Sequence, residues 1–193
     1  MEVIKTDIEG VLILEPKVFG DARGYFFESF NAKEFAEKTG IDITFVQDNE
    51  SMSTYGVMRG LHLQRPPFTQ SKLVRCVKGT VLDVAVDIRK GSPTYGKHVA
   101  VELSEENHRQ FFVPKGFAHG FAVLSETAVF QYKCDNFYVP QAEGGISILD
   151  ESLGIDWRIP SGKVILSDKD TRYECLKNFD SPFVYSLQAF NGE

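Results

Sequence analysis

Leu73-Val74-Arg75-Cys76-Val77-Lys78-Gly79-Thr80-Val81-Leu82-Asp83-Val84-Ala85-Val86-Asp87-Ile88-Arg89 alternates its side chains with a period of two on either side of a Lys-Gly turn. That period belongs to strands. In the second strand Leu82, Val84, Val86 and Ile88 fall on one face, while Val81, Asp83, Ala85 and Asp87 fall on the other. The first face packs; the second is polar enough to line a cavity or meet water. With Lys78-Gly79 as its turn, the pair is expected to be a hairpin.

The flanking sequence continues in the same style. Val11-Leu12-Ile13-Leu14-Glu15 is a short strand stopped by Pro16, and Gly20-Asp21-Ala22-Arg23-Gly24 is a turn before strand character returns from Tyr25 to Phe30. Asn31 with Glu34 resembles a capping box, and Gly40 closes the pattern, so one helix is expected near 32–39. Ile41–Asn49 reads as extended. Val99–Leu103, Phe111–Pro114, Gly120–Leu124 and Ala128–Tyr138 add strands, with Ala128, Phe130, Tyr132 and Cys134 on one parity. Many short strands joined by Gly and Pro turns imply an all-β sandwich or barrel of jelly-roll type with a few short helices. From Asp150 onward Gly154, Pro160, Gly162 and Pro182 loosen the chain, which is expected to lie as short helices and loops against the barrel. The Asp150-Glu151 pair reads as a solvated turn.

At 193 residues, 42% hydrophobic and 25% charged, the chain fits one globular domain spanning 1–193. A net charge of -6 and a pI near 5.3 give no nucleic-acid footprint. No apolar run approaches the roughly 20 residues of a membrane span, and the N-terminus lacks a signal-peptide layout. The three cysteines, Cys76, Cys134 and Cys175, are widely spaced and form no C-x-x-C pair, as reduced cytoplasmic thiols would. Cys76 and Cys134 are expected to pack in strands.

Two of the four histidines sit in Gly-punctuated settings, Arg59-Gly60-Leu61-His62-Leu63-Gln64 and Gly116-Phe117-Ala118-His119-Gly120-Phe121. With Lys72, Asp83 and Tyr132 nearby in sequence, bases, acids and a cation can converge inside a β-structure, which points to proton transfer. Read singly, His62 also fits a core histidine, Asp83 a solvated sheet face, Arg23 a turn residue after Asp21, and Tyr132 or Tyr138 core packing. His98 and His108 read as surface residues.

Pro114-x-Gly116-x-x-His119 resembles the second motif of the cupin superfamily, and Gly60-Leu61-His62-Leu63-Gln64 resembles a degenerate first motif. Gln64 stands where metal-binding cupins carry a second histidine. A catalytic metal usually needs three protein ligands, so the resemblance implies a cupin without a metal. A longer series is similar to the dTDP-4-dehydrorhamnose 3,5-epimerase family: Asp21-x-Arg23-Gly24-x-Phe26-x-Glu28, Gln47-Asp48-Asn49-x-Ser51, Arg59–Gln64, Lys72–Arg75, Asp83–Arg89 and Gly116–Phe121, then Tyr132, Tyr138, Glu143 and Lys169-Asp170.

That resemblance implies inversion at C3′ and C5′ of a dTDP-4-keto-6-deoxy sugar, without a cofactor, in a homodimer. It casts His62, oriented by Asp170, as base, pairs His119 with Asp83, and makes Lys72 the cation beside the enolate oxygen and Tyr132 the opposing acid. Arg23 and Arg59 would grip the diphosphate, while Gln47, Asn49 and Glu28 would bind base or sugar. Tyr138 would stack on thymine, Phe19 and Phe26 would form apolar walls, and Glu143 and Lys169 would contact substrate, as would Lys72 and His119. Rival readings are a 3-epimerase or 3,4-ketoisomerase on a similar dTDP-sugar, a non-catalytic sugar-nucleotide-binding cupin, and a metal-dependent dioxygenase.

Overall fold

The computed structural model describes residues 1–186; residues 187–193 of the expected 1–193 unit lie outside the described residues. In chain order the elements are β1 (Glu2–Lys5), β2 (Leu12–Glu15), β3 (Phe19–Asp21), β4 (Gly24–Phe26), α1 (Ala32–Thr39), β5 (Gln47–Thr54), β6 (Met58–Gln64) and β7 (Lys72–Lys78). There follow β8 (Thr80–Asp87), β9 (His98–Ser104), β10 (Gln110–Val113), β11 (Phe117–Val123), β12 (Thr127–Cys134) and β13 (Glu143–Gly145), with five short 3-10 turns among the described residues from Pro140 onward. Strands β1-β2-β10-β7-β12-β5 make one sheet and β13-β6-β11-β8-β9 the other, while β3 and β4 form a separate two-stranded hairpin. This is the all-β jelly roll that the strand pattern implies.

The expected hairpin across Lys78-Gly79 does not form. β7 pairs with β10 and β12, whereas β8 pairs with β9 and β11 in the opposite sheet. Gly79, at φ +74°, carries the chain from one sheet to the other. Both stretches are strands, as their alternation implies, but they do not pair with each other, because both faces of β8 are covered. Val81 and Ala85 point between the sheets to meet Val74, Phe111, Phe121 and Phe130, and Leu82, Val84, Val86 and Ile88 point outward under Ile146, Ile148, Leu153 and Trp157. Each fully buried Phe or Leu in these clusters stabilises the fold by about 1.5–3 kcal/mol.

Helix α1 stands where expected. Asn31 caps it by accepting the Glu34 N–H, and Gly40 ends it in the left-handed conformation. Glu34 does not complete a capping box, since its carboxylate takes the Met1 ammonium at 2.8 Å. Phe35 inserts the helix into a third cluster with Leu12, Leu14, Leu73 and Phe112 on the outer face of the six-stranded sheet. Strand character after Gly24 stops at Phe26 rather than Phe30, and Gly20 and Asp21 belong to β3, so the turn is only Ala22-Arg23. Asp150 is buried, not solvated: it accepts hydrogen bonds from Ser152 and from the Leu176 N–H, and so ties two turns of the C-terminal segment together.

Candidate active site

A cavity of about 380 Å³ opens between the two sheets and is lined by Gln47, Asn49, Arg59, His62, Lys72, His119, Tyr132, Tyr138, Glu143 and Lys169, among others. The β6–β11 ladder explains how one strand delivers both Arg59 and His62. His119 pairs with His62 and Phe121 with Arg59, so β6 carries one extra residue in between, a bulge. A bulge reverses strand parity, which turns both side chains to the same cavity. Gly60, at φ +128°, makes the bulge possible: a Cβ there would lie 2.6 Å from the Gly120 Cα.

Each histidine is held by a carboxylate. His62 Nε2 lies 2.5 Å from Asp170 Oδ1, and His119 Nε2 lies 2.8 Å from Asp83 Oδ1. Burial alone would raise the Asp170 carboxyl, but its hydrogen bond and charge interaction with His62 outweigh burial and hold it below the usual carboxylate range. Asp83 goes the other way. It is fully buried, its Oδ2 has no hydrogen-bond partner, and desolvation pushes its carboxyl up against the opposing pull of His119 and Lys72. The solvated-face reading of Asp83 is thereby corrected.

Lys72 projects from β7 with its Nζ 5.7 Å from the Tyr132 ring centre. Burial lowers its affinity for a proton, while Cys134, Asp83 and Glu143 pull the other way. Tyr132, on β12, is pushed up by burial and so keeps its hydroxyl proton. The Cys134 thiol, on the same strand face, is pushed up to about 11 by burial, as suits a packing residue.

At the rim, Tyr138 donates to Glu143 at 3.0 Å and Lys169 donates to the other Glu143 oxygen at 2.5 Å. Gln47 accepts the Tyr138 N–H and donates to Asn49, and Arg59 is steadied by Ser53. Gln64 Oε1 accepts the Val139 N–H, so the amide at the expected ligand position holds the rim segment in place.

Twelve expected site residues thus come together, Asp83 and Asp170 through their histidines. Phe19, Arg23, Phe26 and Glu28 do not. They lie on or just after the β3–β4 hairpin, outside the cavity; Phe19 and Phe26 are 54% and 66% exposed, and Arg23 is paired with Asp21. Ser51, Gln70, Phe121, Phe130 and Cys134 line the cavity without having been singled out. Strand parity carried the signal for three of them: Phe130 and Cys134 flank Tyr132, and Phe121 is two residues from His119.

Groups able to take and return a proton, set around a cavity inside a jelly roll, place the chain among the cupin-type isomerases. The family model for dTDP-4-dehydrorhamnose 3,5-epimerase matches residues 5–178. A dTDP-4-dehydrorhamnose 3,5-epimerase from Shigella flexneri is 61% identical over 170 residues, 88% of this chain and 93% of that protein. The crystal structure of the Legionella pneumophila dTDP-6-deoxy-D-glucose-3,5-epimerase in complex with dTDP-4-keto-L-rhamnose superposes with a TM-score of 0.92 at 51% identity, covering 96% of this chain and 99% of that one. A 3′-monoepimerase from Streptomyces bikiniensis, solved with dTDP-quinovose, shares the architecture with a TM-score of 0.83 at 34% identity over 89% of this chain and 86% of its own. The chain belongs to the dTDP-4-dehydrorhamnose 3,5-epimerase family.

Proposed function

We propose that this enzyme epimerises C3′ and C5′ of dTDP-4-dehydro-6-deoxy-D-glucose to give dTDP-4-dehydro-L-rhamnose, without a cofactor. The observation that carries the reading is that His62 and Tyr132 enter one cavity from opposite sheets. Inversion needs a proton removed from one face of a carbon and returned to the other. His62, oriented by Asp170, takes the proton next to the C4′ ketone, and the charge that develops on the ketone oxygen is met by Lys72. Tyr132, which retains its proton, delivers it from the opposite wall. His119 and its partner Asp83 complete the polar floor, and Arg59, Gln47, Asn49, Tyr138, Glu143 and Lys169 hold the nucleotide end.

The same reading makes the enzyme a homodimer of single jelly-roll units. Phe19, Arg23, Phe26 and Glu28, standing outside their own cavity, serve the cavity of the second copy. Cytoplasmic placement agrees with three free thiols, and no described helix is long and apolar enough to cross a membrane.

In heavy water the wild-type enzyme should place deuterium at both C3′ and C5′ and invert both centres, as read by NMR. Labelling at C3′ alone would make it a monoepimerase, and a carbonyl moved to C3′ a ketoisomerase. Mixing Arg23→Ala with His62→Ala protomers tests the shared site. Recovered activity supports it; two inactive variants that stay inactive when mixed oppose it.

A further inference from the structure

Tyr173 stands outside the set of residues that the family resemblance assigns, yet it is packed on the base. Its ring meets the His62 imidazole edge to face, with centroids 5.9 Å apart and planes at 68°. It follows by three residues Asp170, which binds the same imidazole from the start of the 3-10 turn Asp170–Arg172. The space it occupies is made by a missing side chain. Gly145 is the residue opposite His62 in the β13–β6 ladder, and a Cβ there would come within 2.7 Å of the Tyr173 ring.

We propose that Tyr173 is a positioning residue for His62, fixing the imidazole plane while Asp170 fixes the position of its Nε2. One hydrogen bond holds one end of a ring and leaves rotation about that bond open; an aromatic edge against the ring closes that freedom. Burial, with the Glu143 and Asp170 charges behind it, pushes the Tyr173 hydroxyl up to about 12, so it stays protonated near neutral pH, and it is the ring that meets His62. Its ring, not its hydroxyl, carries the role. The inference rests on His62 being the base, as in the proposed function.

The test uses full-length Tyr173→Phe, Tyr173→Leu and Tyr173→Ala, with His62→Asn alongside. Tyr173→Phe keeps the ring and should hold kcat within about twofold of the parent. Tyr173→Ala and Tyr173→Leu should lower kcat about 10- to 100-fold, the loss that a misplaced catalytic group commonly brings, while dTDP affinity holds. The imidazole nitrogen signals of His62 should shift in Ala and Leu but not in Phe. Unchanged kcat in both Ala and Leu, or equal damage from Phe, overturns the positioning role, as does a parallel loss of kcat and dTDP affinity. Should Tyr173→Ala fail to fold, Tyr173→Leu and the Phe rescue decide alone. An active His62→Asn would instead bring down the base assignment itself, so the two failures are distinct.

Discussion

His62 and His119 stand opposite each other in the β6–β11 ladder, yet each gives its Nε2 to a different carboxylate, Asp170 for the one and Asp83 for the other. Neighbours on one sheet therefore hold separate charge environments. The Asp170 carboxyl is held down and the Asp83 carboxyl is pushed up.

His62→Ala and Lys72→Ala should each cut turnover by about 10²–10⁴-fold while dTDP binds nearly as before. In the proposed mechanism His62 takes the proton beside the ketone and Lys72 meets the ketone oxygen, both away from the diphosphate. Arg59→Ala should weaken dTDP instead, as calorimetric titration would show. Collapse of dTDP affinity in His62→Ala with none in Arg59→Ala would reverse these roles.

Tyr132→Phe leaves the base and Lys72 in place, so solvent deuterium should still enter the sugar while inversion slows. NMR in heavy water reads both events. Unimpaired double inversion would remove the tyrosine from the chemistry.

Turnover should survive prolonged chelation. The Gln64 amide is committed to the Val139 N–H, and both histidines give Nε2 to a carboxylate. Stoichiometric metal in active protein, with activity lost on its removal, would contradict this.

Asp87 predicts an acid limit to stability. Burial would raise its carboxyl, but hydrogen bonds from Arg89, Ser92 and Thr94 prevail and hold it below the usual carboxylate range. A depressed folded-state value means that the stabilisation is present above the unfolded-state value and is lost as pH falls through the folded one. Melting temperature should therefore drop steeply in the acid range below about pH 4. Asp87→Asn should cost about 3 kcal/mol at neutral pH, as breaking a buried pair does, and flatten that acid limb.

Gly60→Ala tests the bulge. The added methyl meets the Gly120 backbone, and overpacking of this kind costs about 1–3 kcal/mol. Because the bulge aims both Arg59 and His62, kcat and dTDP affinity should fall together. A variant with normal stability and activity would remove the bulge from the account.

Much of this architecture was legible in the sequence because it is local. The Asn31 cap, the Gly40 stop and the parity of Ala128 to Cys134 are set by neighbours in the chain, and all stand as read. What escaped was set across space. A Lys-Gly turn after an alternating strand looks the same whether the next strand turns back beside it or crosses to the other sheet, and only the cover on both faces of β8 decides. Asp150 escaped for a like reason: its partner Leu176 is 26 residues away. The site was legible through its motifs, but not the placing of Arg23 and Phe26 away from the cavity.

The crossing at Gly79 sets the terms on which activity can exist at all. Lys72 and Asp83 are close in sequence but belong to opposite walls, as do His62 and Tyr132. No hairpin, and neither sheet alone, contains a working set of these groups. They meet only when strands distant in sequence have paired and the two walls have closed, a topology rich in non-local contacts and correspondingly slow to fold. On the proposed mechanism a partly folded chain is inert, and during refolding turnover should return last, in step with burial of the Phe121–Phe130 stack rather than with the first appearance of strand signal.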